Sequence, residues 1–322
     1  MPVQATPSAR QSAKAARSNT YGARLLRDFS VNRYVYLMLL PVAAYYALFH
    51  YGPMYGLQIA FKAYTPMRGM LHSPWVGLQY FGEFFRSFYF WRLIRNTLLL
   101  SFYDLLIGFS APIVLALLLN EIRSLLFKRI VQTVTYLPYF ISLVVVVGMI
   151  VDFLARDGLV NQLLASFGGT AQTAYLLEPG WFRTIFIGSG LWQNVGWGSI
   201  IYLAAIAVIN PSLYEAAKVD GAGRWRMMQH ITLPGMAPTI IILFILQIGS
   251  IMSVNSDKIL LLYNTATYET ADVIGTYVYR KGLLQANFSY SAAIGLFNSV
   301  LNFALLVSAN AFSKRMTETK LW

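Results

Sequence analysis

Asn210-Pro211-Ser212-Leu213-Tyr214-Glu215-Ala216-Ala217-Lys218-Val219-Asp220-Gly221-Ala222-Gly223-Arg224-Trp225-Arg226-Met227-Met228-Gln229-His230-Ile231-Thr232-Leu233-Pro234 is a polar interval between two long stretches that carry no charge. Local physical chemistry reads it as helix, sharp turn, helix. Pro211 suits a helix start, Ser212 and Glu215 stand three apart as in a capping box, and Gly221 suits the left-handed residue that ends a helix. The first helix is about two turns long, which is marginal in water by itself. Its small Ala216 and Ala217 would let another surface approach closely. These features suit a docking element and, equally, an ordinary interhelical loop lying on a membrane surface.

Working outward, only 12% of the 322 residues are charged and 57% are hydrophobic, against roughly a quarter charged in a soluble domain. Uncharged runs cover 34–61, 130–151, 184–214, 227–256 and 282–313, and 96–120 is interrupted only by Asp104. Each exceeds the roughly 20 residues a helix needs to cross hydrocarbon. The expectation is an all-α polytopic protein with six membrane helices near 34–53, 96–119, 131–151, 184–207, 237–255 and 291–312. The run 158–177 is long enough but rich in Asn, Gln, Ser, Thr and Gly, and reads as an extramembrane amphipathic segment. Residues 1–30 mix Arg and Lys with Ser, Ala, Thr and Pro, a composition that cannot bury a core, and read as a disordered tail. The first apolar run continues through Leu37 to the Pro41 kink, longer than the core of a cleaved signal peptide, and reads as a retained span. The permease domain is expected over 31–313, with a short tail over 314–322. The long connections 54–95, 152–183 and 256–290, with Trp75, Trp91, Trp181 and many tyrosines, are candidates for a small cap.

Charge sets the orientation. With the N-terminus inside, the inside segments hold 15 Lys and Arg and the outside segments 10, with net charges of +10 and +3. This places both termini in the cytoplasm and accounts for most of the net +12 without nucleic acid. The absence of cysteine excludes disulfides, thiolate catalysis and Cys-ligated metals. The histidines, His50, His72 and His230, are dispersed and no pair has metal-ligand spacing. No lysine follows a glycine, so there is no P-loop to cradle ATP phosphates. No catalytic residue and no metal site is assigned.

Polar side chains at mid-membrane depth are costly unless they face a cavity or a partner. The fourth helix offers Trp192, Gln193, Asn194 and Trp197, the fifth Gln247, Ser250 and Ser253, and the sixth Asn298 and Asn302. Gln193 and Trp197 share a helix face, an amide beside an aromatic plane that suits a sugar. The alternative is hydrogen bonding among close-packed helices, assisted by Gly188, Gly190, Gly196 and Gly198. Asp104 is the sole intramembrane acid. Cations in the outer connections, Lys62, Arg68, Arg86, Arg92, Arg95, Lys258, Arg280 and Lys281, would assist an anionic cargo.

Glu215, Ala216, Ala217, Gly221, Ile231, Leu233 and Pro234 stand at the spacing of the EAA loop that marks permease subunits of ABC importers, which this sequence resembles. Asp220, Ala222 and Pro238 extend the match to the sugar-importer variety, while Met228 stands where an aromatic is common. The stretches 51–56, 73–78, 268–274 and 295–300 resemble the subgroup that handles oligosaccharides and polysaccharide fragments, and most resemble a permease subunit of the alginate importer. The resemblance implies a maltose-importer-permease-like fold and a coupling loop over 209–236 that docks in a cleft of the nucleotide-binding subunit, with Glu215 as a candidate for an ion pair there. It also implies a second homologous permease, two ATPase subunits that bind ATP and Mg, an extracytoplasmic solute-binding protein, a saccharide cargo and a place in a bacterial inner membrane. No cofactor is expected in this chain. In the maltose importer the sugar contacts the membrane helices of one permease only, so the polar residues here could be wall. The competing class is an ion-gradient-driven secondary carrier for a small polar solute. It would need intramembrane ion ligands, for which only Asp104 qualifies, and it leaves the loop unexplained.

Overall fold

The computed structural model describes residues 31–168 and 173–316. The expected disordered tail 1–30 and most of the tail 314–322 lie outside the described residues. The chain divides into two compact units, residues 1–58 and 59–322. The first contains most of an apolar helix, α1 (Arg33–Phe61), with Pro41 inside it and a widened π turn over Ala47–Tyr51.

The second unit contains α2 (Gln79–Arg86), α3 (Phe90–Glu121), α4 (Leu125–Phe140), α5 (Leu143–Phe153), α6 (Leu159–Ser166) and α7 (Pro179–Ala207). It continues through α8 (Pro211–Val219), α9 (Arg224–Gly249), α10 (Ser256–Leu262), α11 (Ile274–Tyr279) and α12 (Phe288–Met316). The described residues include no strand, only the isolated bridge between Lys62 and Trp75. Four helices, α1, α3, α9 and α12, are each long and apolar enough to cross a membrane. Two further stretches qualify as bent pairs, α4 with α5 and α7 with α8, so the expected six spans are reached when each pair counts as one.

The third of these departs from the expected continuous helix 131–151. It bends by 101° between α4 and α5. Pro138 in the tight turn Leu137–Phe140 has no N–H to continue the ladder, and Ser142 starts a new helix by accepting from the Val145 amide at 3.4 Å. The fifth also departs: α9 ends at Gly249, where 255 was expected, and begins at Arg224. Ser250 to Ser253 then form successive turns, and Asn255 caps α10 by accepting from the Lys258 amide at 3.1 Å.

Three apolar clusters hold this unit. One joins Ala116 of α3, Tyr202 and Ile206 of α7 and Met236 of α9. The other two combine span residues such as Leu93, Leu100, Phe186 and Ile294 with Phe84, Ile259, Leu262, Val273 and Tyr277 from the connections. The cap side chains among them, such as Ile259, Leu262 and Val273, each contribute roughly 1.5–3 kcal/mol by leaving water, whereas those on the spans gain from close packing. The connections 59–95 and 256–290 thus pack as a cap on the helix ends. Several of its buried polar groups are paired, which offsets their desolvation: Asn96 Nδ2 donates to the Glu269 and Asp272 carbonyls at 2.8 and 3.1 Å, and Thr270 Oγ1 donates to the Pro179 carbonyl at 2.7 Å, while Arg92 Nε and Arg280 Nη1 are buried without a partner. Helices α7 and α4 approach so closely that a Cβ on Gly196 would overlap the Thr135 carbonyl. Only glycine allows that approach.

Candidate functional site

The helix–turn–helix loop and a polar cavity occupy the two ends of α9. In the loop, Asn210 caps α8, its Oδ1 accepting from the Ser212 amide at 3.0 Å. This corrects the expected Ser212–Glu215 capping box, because a cap residue must itself be non-helical and Ser212 already lies within α8. Pro211 takes the first helical position. Gly221 has φ of +74°, and the Ala222 amide donates to the Ala217 carbonyl at 2.8 Å, which together close the helix with a Schellman turn. The helix lies at 71° to α7. Its apolar residues are left uncovered: Leu213 is 51% exposed, Val219 87% and, past the turn, Trp225 71%. Glu215, Ala216, Asp220, Gly221 and Pro234 are also exposed, while Ala217, Ile231 and Leu233 are half-buried. Tyr214 Oη and the buried Thr232 Oγ1 are hydrogen-bonded at 3.0 Å, which ties α8 to the start of α9. Arg224 approaches Glu121 at the end of α3, at 4.0 Å.

The cavity, about 720 Å³, lies among α3, α7, α9 and the turns that follow α9. It gathers Asp104, Gln193, Asn194, Gln247, Ser250 and Ser253 from the polar residues singled out in the sequence, with Ser101, Asn255 and Lys258 beside them. Asp104 sits in a π turn of α3, folded over Gly108, and its Oδ2 accepts from Gln247 Nε2 at 3.3 Å. Gln193 Nε2 donates to the Ile141 carbonyl at 3.2 Å, at the break between α4 and α5. Asn194 Nδ2 donates back to the Gly190 carbonyl at 2.9 Å. The post-α9 turns are pinned from behind by Ser101, which donates to the Ile251 carbonyl, and by Asn302, which accepts from the Met252 amide and donates to Ser253 Oγ.

The other candidates fall elsewhere. Trp197 stacks on Tyr139 with ring centroids 4.5 Å apart and planes 4° apart, so its face is occupied by protein. Trp192 is exposed, Asn298 has a buried Oδ1 without a partner, and neither lines the cavity. Asn302 acts through the turn it holds.

Lys258 was grouped with the outer cations, yet it is 3% exposed and its Nζ donates to the Phe186 carbonyl at 2.8 Å, beside the cavity. Burial pushes its ammonium down to about 8, with the attraction of Asp104 pulling the other way. The available signal was Asn255-Ser256-Asp257-Lys258 directly after an apolar run, a helix start that turns the chain back inward.

A second concavity, about 440 Å³, opens on the cap among Tyr89, Arg92, Glu269, Tyr277, Arg280 and Lys281. Its cations are partly committed. Arg280 donates to the fully buried Asp272 at 2.6 Å, with Arg92 at 3.9 Å from the same oxygen. Burial would lower the Arg280 guanidinium, but the Asp272 bond and charge, joined by Tyr263, hold it above its ordinary range.

A helical membrane unit with an exposed, motif-bearing loop at one end of a span and a polar cavity at the other agrees with the comparisons. Residues 108–318 match the family of the binding-protein-dependent transport system inner membrane component. The chain belongs to this family. It is a permease subunit of an ABC importer, and its place is an inner membrane. Similar proteins include the polygalacturonan/rhamnogalacturonan transport system permease protein YteP of Bacillus subtilis (strain 168), 45% identical over 93% of both chains. Protein LplB of the same organism is 43% identical over 96% of both. A chain in the crystal structure of a bacterial alginate ABC transporter, in complex with an alginate pentasaccharide-bound periplasmic protein, superposes with a TM-score of 0.86 at 45% identity. That match covers 92% of this chain and all of the other.

Proposed function

We propose that this chain forms half of the translocation pathway for an acidic oligosaccharide or polysaccharide fragment and couples it to ATP through residues 209–236. The observation that carries the reading is the continuity of α9: it starts in the exposed loop, where Tyr214 and Thr232 bind it to α8, and ends at Gln247 and Ser250 on the cavity. A displacement of α8 is therefore delivered to the cavity wall along one continuous helix. The uncovered Leu213, Val219 and Trp225 supply a surface for a partner. The acidic cargo rests on the relatives that handle polygalacturonan and alginate.

In this reading the working assembly contains a second permease, two ATPase subunits that hold ATP and Mg, and an extracytoplasmic binding protein, with both termini of this chain in the cytoplasm. ATP closes the ATPase pair, which carries α8 with it and shifts the cavity from inward to outward access. The work comes from the differential affinity of nucleotide and cargo for the two states. Purification of the tagged chain in mild detergent tests the assembly. Co-purification of a P-loop ATPase and a second permease, lost in Glu215→Lys, is the expected result. Recovery of the chain alone, active in liposomes without ATP, would sink it.

A further inference from the structure

A buried charge without an ion-pair partner is expensive, and Lys258 is such a group. Its ammonium carries three N–H donors, and one reaches the Phe186 carbonyl. The Phe186 ring lies 4.9 Å from Nζ and adds a cation–π attraction. Among the described residues no carboxylate forms an ion pair with it. Asp104 attracts it from the same cavity but is bound by Gln247. The backbone leaves room for the ammonium: a Cβ on Gly190 would come within 3.2 Å of Nζ. Around it stand amide side chains, Gln193, Asn194 and Asn255, suited to hydroxyl groups.

We infer that Lys258 is a carboxylate subsite within the translocation cavity, receiving the acid group of a uronate residue as the chain passes, with Asp104 as its counter-charge when the cavity is empty. The inference rests on the proposed saccharide pathway and adds to it the group that selects acidic over neutral sugar. Entry of a carboxylate gives Lys258 a direct, charge-assisted partner and releases it from Asp104. Asp104 repels the incoming carboxylate, which keeps the acid at the Lys258 side. The subsite needs no strong affinity, because cargo has to leave.

The test uses the complete complex in proteoliposomes with its binding protein. The probes are oligogalacturonide and oligoalginate, each as the free acid and as its methyl ester, supplied below saturation. The binding protein's own preference is common to all variants and cancels between them. Wild type is expected to import at least one free acid in an ATP-dependent manner, and Lys258→Gln to lower its acid-to-ester uptake ratio about tenfold. Lys258→Arg restores most of the ratio, and Asp104→Asn raises it above wild type because the competing charge is gone. The opposite direction of the Asp104 effect is one that simple misfolding does not produce, and it stands even where Lys258→Gln fails to assemble. An unchanged ratio in Lys258→Gln, or a fall in Asp104→Asn, overturns the subsite while leaving the transport reading intact. Import of neither acid by wild type overturns the acidic-cargo reading, and the subsite with it.

Discussion

The cap and the loop sit at opposite ends of the membrane helices and are built on opposite terms. In the cap, side chains satisfy one another: Asp272 is fully buried, accepts from Arg280 and Thr276, and has Arg92 beside it. Asn96 joins α3 to the Asp272 segment, and Asn264 Nδ2 reaches the Leu176 carbonyl at 2.8 Å. In the loop, the bond of Tyr214 with Thr232 is an internal tie, and the long pair of Arg224 with Glu121 reaches the rest of the chain. Its apolar side chains are left uncovered. The cap makes most of its contacts within one chain, whereas the loop leaves apolar side chains uncovered, which in the proposed reading is the surface that a partner covers. Stability should therefore be concentrated at one end and coupling at the other.

The largest expected break is in the cap. Asp272→Ala strands Arg280 and Arg92 without their buried counter-charge and should cost about 3–5 kcal/mol. Thermal unfolding in detergent, followed by size-exclusion, would show a much lower midpoint or no monodisperse protein. Next is Gly196→Ala in the helix packing between the two ends. The Thr135 carbonyl cannot yield as a flexible side chain would, so a loss of about 1–3 kcal/mol is expected by the same assay. Gly221→Val sharpens the comparison from the other end. The added side chain meets open space, but φ is +74° there, so the local cost is about 1–2 kcal/mol. The protein should remain folded while ATP-driven uptake falls at least tenfold with ATP hydrolysis retained. Full uptake in Gly221→Val would contradict the division of labour between the ends.

The same contrast explains what could be read in advance. The loop was legible because its signals are local: Pro211 and Gly221 act on the backbone within a few residues of themselves. The cap residue was misplaced because Asn210 and Ser212 are both competent capping types, and only the backbone decides between them. Charge gaps located the spans, since hydrocarbon tolerates few charges, but a gap does not register where a helix breaks. The turn after Phe140 and the end of α9 at Gly249 depend on Ser142 and on the contacts of Ser101 and Asn302 with the following turns. The cavity was legible in part. Asp104, Gln193, Asn194, Gln247 and Ser250 were identified as costly groups and do converge, whereas Trp197 is spent on Tyr139. Lys258 was named only among the outer cations, because linear position assigned it to a connection that in fact folds back inward.

A smaller effect probes the link that carries motion out of the loop. Tyr214→Phe removes the bond to Thr232 and leaves that buried hydroxyl without it, at a cost of about 1 kcal/mol. The functional consequence should exceed the stability change if α8 and α9 move as one. Uptake per ATP hydrolysed is the quantity to compare, and an unchanged ratio would mean that α8 transmits through the main chain alone.

The smallest effect concerns the charge held between the two ends. Lys258 has its ammonium pushed down to about 8, below the ordinary value of 10.5, so the unfolded chain holds this proton more tightly than the folded one. Below about pH 8 both states are protonated and the folded state bears the full penalty of the buried charge. Between about 8 and 10.5 the unfolded state binds more protons, so this group's contribution to stability rises with pH. Other groups titrate in that range, and the difference between wild type and Lys258→Met isolates the one of interest. From pH 7.5 to 9.5 the wild-type midpoint should gain on the variant by on the order of 2 °C, with the variant the more stable at the lower pH. A constant difference would mean that water or Asp104 already compensates the ammonium at neutral pH, and that the cavity, like Asp272 in the cap, is satisfied within one chain.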